Sequence, residues 1–206
     1  MQRKKHRLAG FLVIAAAVLE SLSIPLHGTD DASHDMISAL KAAGPHASLG
    51  DQAQTFDRFV GTWDCDYGEF KEDGSTEHSR GEVIFGWILD GRAVQDVWIS
   101  LEPNGERQIG TTVRFFDPKA GKWRIIWVDP TSCVIKKLSG GAIGDRIVLE
   151  GTGDGDLQIR WSFNEIRQDS FVWRSEQSRD SGRTWRLTLE HHLKRRSVAT
   201  PGKNSG

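Results

Sequence analysis

Charge of one sign is what this chain most plainly lacks. Its 27 Lys/Arg and 28 Asp/Glu leave a net charge of −1. The segment up to His27 holds four of the basic side chains and one Glu, so the remainder carries 23 basic against 27 acidic. A chain that grips phosphates needs a basic excess, so nucleic acid is not expected as a partner. A long hydrophobic run is also missing. Leu8–Leu19 spans about 12 residues, whereas a membrane helix needs roughly 20. Cysteine is scarce. Cys65 and Cys133 fall on non-adjacent predicted strands, which suits two small buried apolar residues better than a disulfide. There is no Gly-rich phosphate loop, no Ser-His-Asp arrangement and no carboxylate dyad. No catalytic residue, metal ligand set or cofactor is therefore assigned, and a non-enzyme is favoured.

The N-terminus does carry a signal. Arg3, Lys4, Lys5 and Arg7 precede the apolar run, the order of a secretory signal. The stretch Glu20–Gly28 has no A-x-A-like cleavage site and no Cys for a lipid anchor. Residues 1–28 thus read as a secretory signal or an uncleaved anchor, with a secreted or periplasmic location and membrane contact only through that segment. Residues 29–54 are polar, with Met36, Ile37 and Leu40 at helical spacing; they predict a linker with a short helix. Residues 55–194 form the expected β domain, and 195–206 a disordered tail that follows a solvated Lys194-Arg195-Arg196 cluster.

From Phe56 onward, short apolar runs alternate with turn chemistry. The predicted strands are Thr62–Phe70, Glu82–Leu89, Ala93–Leu101, Gln108–Phe116, Trp123–Val128, Cys133–Leu138, Arg146–Glu150, Leu157–Ile166, Phe171–Gln177 and Arg183–Leu193. Gly140-Gly141 is read as a turn. Ten strands with no crossover helix exclude a parallel α/β sheet. A meander of this length removes its edges by closing on itself. The expected fold is an all-β, up-and-down antiparallel barrel.

Two turns set a register. Asp90-Gly91 is a type I′ signal that puts Phe85 opposite Asp96 and Val83 opposite Trp98. A three-residue Pro103-Asn104-Gly105 turn puts Trp98 opposite Gly110, Asp96 opposite Thr112 and Val94 opposite Arg114. One face then carries Phe85, Trp87, Asp96, Trp98, Arg114 and Phe116, an aromatic wall around an acid and a base. The other carries Ile84, Ile88, Val97, Ile99, Ile109 and Val113, which read as plain aliphatic packing. The first set is the candidate ligand-binding face, provided that it points inward.

Ser178-Arg-Asp-Ser-Gly-Arg-Thr-Trp185 matches the Asp-box of sialidase-like propellers. A single copy in so short a domain is turn chemistry and does not imply glycosidase activity. His191 and His192 point to opposite strand faces and do not share one ion. One of them as axial ligand would suit a haem-binding barrel of the nitrobindin kind, although that family's Tyr-Pro-Thr opening is missing. Phe59-Val-Gly-Thr-Trp63 resembles the start of lipocalin-type barrels. That resemblance implies an end-plugging Trp63 with a basic partner on the last strand, Arg186 or Arg183.

Together with Gly91–Trp98, Gly110–Pro118, Lys122–Trp127 and the Ser178–Trp185 turn, this motif resembles an uncharacterised bacterial family of lipocalin-like (calycin-type) barrels. The resemblance implies the fold and no activity. The expected function is an exported barrel that binds a small hydrophobic or amphipathic ligand. Two alternatives stand beside it: an enzyme that uses Asp96 and Arg114, and a structural or partner-binding barrel with a filled interior.

Overall fold

The computed structural model describes residues 29–101 and 105–197. Its ten strands form one closed antiparallel barrel in meander order. They are β1 (Gly61–Phe70), β2 (Thr76–Ile88), β3 (Ala93–Leu101), β4 (Arg107–Asp117), β5 (Lys122–Asp129), β6 (Val134–Ile143), β7 (Arg146–Thr152), β8 (Gln158–Asn164), β9 (Ser170–Ser178) and β10 (Arg186–Arg195). Closure comes from β10 pairing with β1, with Cys65 opposite Leu193 and Tyr67 opposite His191. No helix among the described residues is long and apolar enough to cross a membrane. The predicted signal or anchor (1–28) and the end of the tail lie outside the described residues.

The turn arithmetic holds. Asp90 and Gly91 both adopt positive φ, as a type I′ turn requires, and Arg92 N–H donates to the Leu89 carbonyl at 3.1 Å. Phe85 pairs with Asp96 and Val83 with Trp98. Trp98 pairs with Gly110, Asp96 with Thr112 and Val94 with Arg114. Pro103 and Asn104 are outside the described residues, but the Leu101–Arg107 pair has the register that their turn implies.

Several expectations need correction. Gly140 and Gly141 sit inside β6 instead of forming a turn. A Cβ on Gly140 would come 2.0 Å from the Val148 carbonyl oxygen, so this glycine serves close strand approach. The aliphatic set is not core. Ile84 and Ile109 are exposed on the barrel's outer surface, and Ile88 is buried where Lys41 bridges to it. Cys65 is buried but Cys133 is exposed, and both are free thiols. Arg195 and Arg196 are fixed rather than loose. Arg196 pairs with Asp64 and with Glu82.

Residues ahead of β1 close one end. Helix α1 (Thr29–Leu40) forms as its spacing predicts, yet Met36 and Ile37 are exposed. The chain then runs beside the β2–β3 turn, where Ala42 N–H donates to the Trp87 carbonyl and His46 N–H to the Gly91 carbonyl, both at 2.9 Å. A short helix, α2 (Gln54–Asp57), and the turn that follows it deliver Phe56 and Phe59, both buried. Phe59 packs on Phe163 at 4.9 Å and on Phe171 at 4.7 Å. Trp63 is fully buried beside them and donates its indole N–H to the Phe59 carbonyl at 2.7 Å. Its cationic partner is neither Arg183 nor Arg186 but Arg195, whose guanidinium lies 4.1 Å from the Trp63 ring. The same guanidinium donates to the carbonyls of Val60 and Gln168, which staples the last strand onto the plug. Arg186 is spent on the Phe70 carbonyl, at the opposite end of β1.

Candidate functional site

Strand alternation sends Phe85, Asp96, Trp98 and Arg114 inward, where they line a cavity of about 690 Å³. That volume falls in the range of small-molecule sites, and the lumen is not packed solid. Trp87 and Phe116 share this sheet face but lie below the cavity. The Trp87 indole N–H donates to Asp57 at 2.8 Å, and Phe116 packs on Trp123 at 5.9 Å. The plug on α2 fills the end of the barrel that both occupy.

At the cavity floor sits a buried ion pair. Arg114 Nη2 donates to Asp96 Oδ2 at 2.5 Å, and Thr112 N–H donates to Asp96 Oδ1 at 3.2 Å. Both side chains are under 7 % exposed, so the pair stands or falls together. The guanidinium lies 5.3 Å from the Phe56 ring centroid and 5.4 Å from that of Phe85. Arg114 Nε and Nη1 are buried with no hydrogen-bond partner. Asp96 has both oxygens engaged, which makes it a counter-ion rather than a free base.

Above the floor, six rings form a continuous belt. Tyr67 meets Trp98 at 5.1 Å, Trp98 meets Trp127 at 6.0 Å, and Trp127 meets Trp161 at 6.4 Å. Trp161 meets Trp173 at 5.3 Å, Trp173 stacks on His191 at 4.9 Å, and His191 meets Tyr67 edge-on at 4.7 Å. The circuit uses β1, β3, β5, β8, β9 and β10 and returns to its start. Edge-to-face contacts of this kind favour fixed ring geometry. The Tyr67 hydroxyl is pinned to the Glu82 and Ile99 carbonyls, each at 3.2 Å. Trp161 Nε1 and His191 Nδ1 have no partner.

Electrostatics follow from burial. It pushes the His191 imidazole down to about 4, so the ring is neutral near pH 7. It pushes the Cys65 thiol far above its ordinary range, which makes this sulfur inert. His192, the next residue, points outward and is hydrogen-bonded to Glu190 at 3.0 Å. Among the described residues no group of three or more His, Cys, Asp or Glu could hold a metal ion.

The turn reading reached Asp96, Trp98 and Arg114 but missed the rest of the belt. Inward alternation at Trp161-Phe163 and Phe171-Trp173 is the signal that could have found it, once one strand had been oriented. The Asp-box is structural. Asp180 accepts from Ser178 Oγ and from Thr184 N–H and Oγ1, and these bonds hold its carboxyl down at about 2. Arg160 covers Trp185 at 3.7 Å on the outside of the same hairpin.

No model of a known family matches the chain, and no curated protein matches it. Solved structures do. The crystal structure of Rv2717c from M. tuberculosis aligns with a TM-score of 0.53 at 17% identity, over 72% of this chain and 99% of that one. The S-type phycobiliprotein lyase CPES from Guillardia theta aligns with a TM-score of 0.52 at 14% identity, over 70% of this chain and 92% of that one. Both are calycin-like barrels. At such identities the likeness establishes the fold alone.

Proposed function

We propose that this protein is a binding barrel for a small amphipathic molecule. Its flat or elongated apolar body lies within the aromatic belt, and an acceptor-bearing head, best a carboxylate, meets Arg114. The observation that carries this reading is the pair of unpartnered nitrogens on Arg114 at the cavity floor. A buried donor without an acceptor costs about 1–3 kcal/mol, and more when charged, so a ligand oxygen that reaches one of these nitrogens recovers that cost. The neighbour from Guillardia theta is named for work on phycobiliproteins; a cavity that holds a conjugated molecule is consistent with it. The motif resemblance to uncharacterised lipocalin-like barrels belongs to this reading, and so does export, which rests on the Arg3–Leu19 segment. N-terminal sequencing of the protein from its own host tests export, and an intact cytoplasmic form would end that part.

Biphenyl-4-carboxylic acid and 4-methylbiphenyl test the site. Tryptophan quenching in the wild type should show the acid bound about 10–100-fold more tightly than its neutral analogue, as expected for one charge-assisted contact. The preference should vanish in the Asp96→Asn, Arg114→Leu double variant, which removes both charges together. Equal affinity of the two probes for the wild type would defeat the assignment.

A second reading rests on His191. A neutral imidazole in the wall of an aromatic cavity is a donor that haem iron takes, and His191 lines the cavity with its ring held neutral. Haemin titration should then give a saturable Soret shift that is lost in His191→Ala. A shift that persists in this variant rules out the reading.

A further inference from the structure

One charged group in the cavity has no role in the reading above. Lys136 lies on β6 opposite Trp127, so alternation turns it into the lumen while its neighbour Lys137 is exposed. Its Nζ lies over the Trp161 ring, 5.9 Å from the centroid, against the belt. It makes no hydrogen bond or ion pair with any described residue. Asp129, on the same inner face one pair nearer the mouth, has Oδ1 committed to Thr131 N–H at 3.0 Å and Ser132 N–H at 3.1 Å. The amine is therefore held in an aromatic wall with no carboxylate bonded to it. Burial holds it below the ordinary lysine range, with Asp129 acting weakly the other way.

We propose that Lys136 is a covalent attachment point for a ligand bearing an aldehyde or ketone, held as an imine inside the belt. The Nζ lone pair attacks the carbonyl carbon, and the carbonyl π pair moves onto oxygen. A proton passes from nitrogen to that oxygen to give the carbinolamine. Loss of one water then forms the C=N bond, with no oxidant or reductant consumed. A desolvated lysine amine against an apolar wall is suited to this addition, because more of it is the neutral nucleophile.

The inference rests on Arg114 as the anchor for the other end, and the sheet sets the spacing. Arg114 pairs with Ile125, and Ile125 with Leu138; Lys136 is one inward step beyond Leu138. Two interstrand spacings and one inward step separate the Cα atoms by roughly 12 Å. A ligand that satisfies both carries its carbonyl and its carboxylate about 10 Å apart on a rigid apolar body.

4′-Formylbiphenyl-4-carboxylic acid is a probe of that length. It is incubated with the protein and sodium cyanoborohydride, and modified peptides are quantified by mass spectrometry. Lys136 should be labelled at least about tenfold faster than the surface lysines, since the bound pose raises effective concentration. Biphenyl-4-carboxylic acid should suppress that labelling. Lys136→Arg, which keeps the charge but forms no imine, should abolish it at unchanged thermal stability. Labelling spread evenly over surface lysines overturns the proposal. If biphenyl-4-carboxylic acid binds and Lys136 stays unlabelled, the imine falls and the Arg114 site stands. Selective Lys136 labelling that the acid fails to compete would uphold the amine and remove Arg114 as its anchor.

Discussion

At the scale of single residues, His191 shows how a belt position acquires a chemical character that its sequence neighbour lacks. Stacking on Trp173 and contact with Tyr67 take water from the ring, whereas His192 keeps solvent and a carboxylate. The unfolded chain binds a proton at His191 below about 6.5, and the folded one only below about 4. Between these values the unfolded state holds more protons, so stability is complete above pH 6.5 and is lost as pH falls toward 4. The loss is on the order of 3 kcal/mol. Urea unfolding at pH 4.5 and pH 7 should show a smaller drop in His191→Gln than in the wild type. Equal drops would show that the ring is solvated.

At the scale of elements, the belt exists because strands between the aromatic ones carry glycine. Trp98 on β3 and Trp127 on β5 meet across β4, where Gly110 stands; a Cβ there would come 2.2 Å from Trp127 Cη2. Gly81 on β2 does the same beside Tyr67, 2.8 Å from its Cε2. Gly110→Ala should therefore displace the Trp127 indole and cost about 1–3 kcal/mol. It should also weaken biphenyl-4-carboxylic acid about tenfold, read by fluorescence titration, an estimate set by one lost aromatic contact. Undiminished affinity would mean that the belt does not hold the ligand. This circuit was hard to see in the sequence. Asp90-Gly91 set the β2–β3 register directly, and with it the face of Asp96, and Pro103-Asn104-Gly105 carried the register on to Arg114. The later two-residue turn, Gly144-Asp145 between Ile143 and Arg146, was masked by Gly140-Gly141, which imitated a turn while serving strand packing. The partner of Trp63 was misplaced for a related reason. Which arginine of the last strand reaches the plug depends on how β1 and β10 close, and local spacing does not encode that.

At the scale of the whole molecule, the barrel has a closed end and an open one. Phe56 and Phe59, from ahead of β1, close the floor, and Glu69, Glu77, Gln108 and Asp129 stand toward the mouth. The apparent linker is thus part of the fold. Phe59→Ala, which empties the centre of the plug, should destabilise the protein by about 3–5 kcal/mol in urea unfolding. A loss below about 1 kcal/mol would mean that the floor is dispensable, since that little is expected of a surface site. Closure between β1 and β10 carries one more consequence, which concerns synthesis. Tyr67 pairs with His191, so the partner of the first strand is the last of the ten strands to be made. Until then β1 has β2 on one side and a bare edge on the other, open to any passing strand. Until β10 emerges the nine strands before it are a sticky ribbon, and that one strand turns the ribbon into a cup.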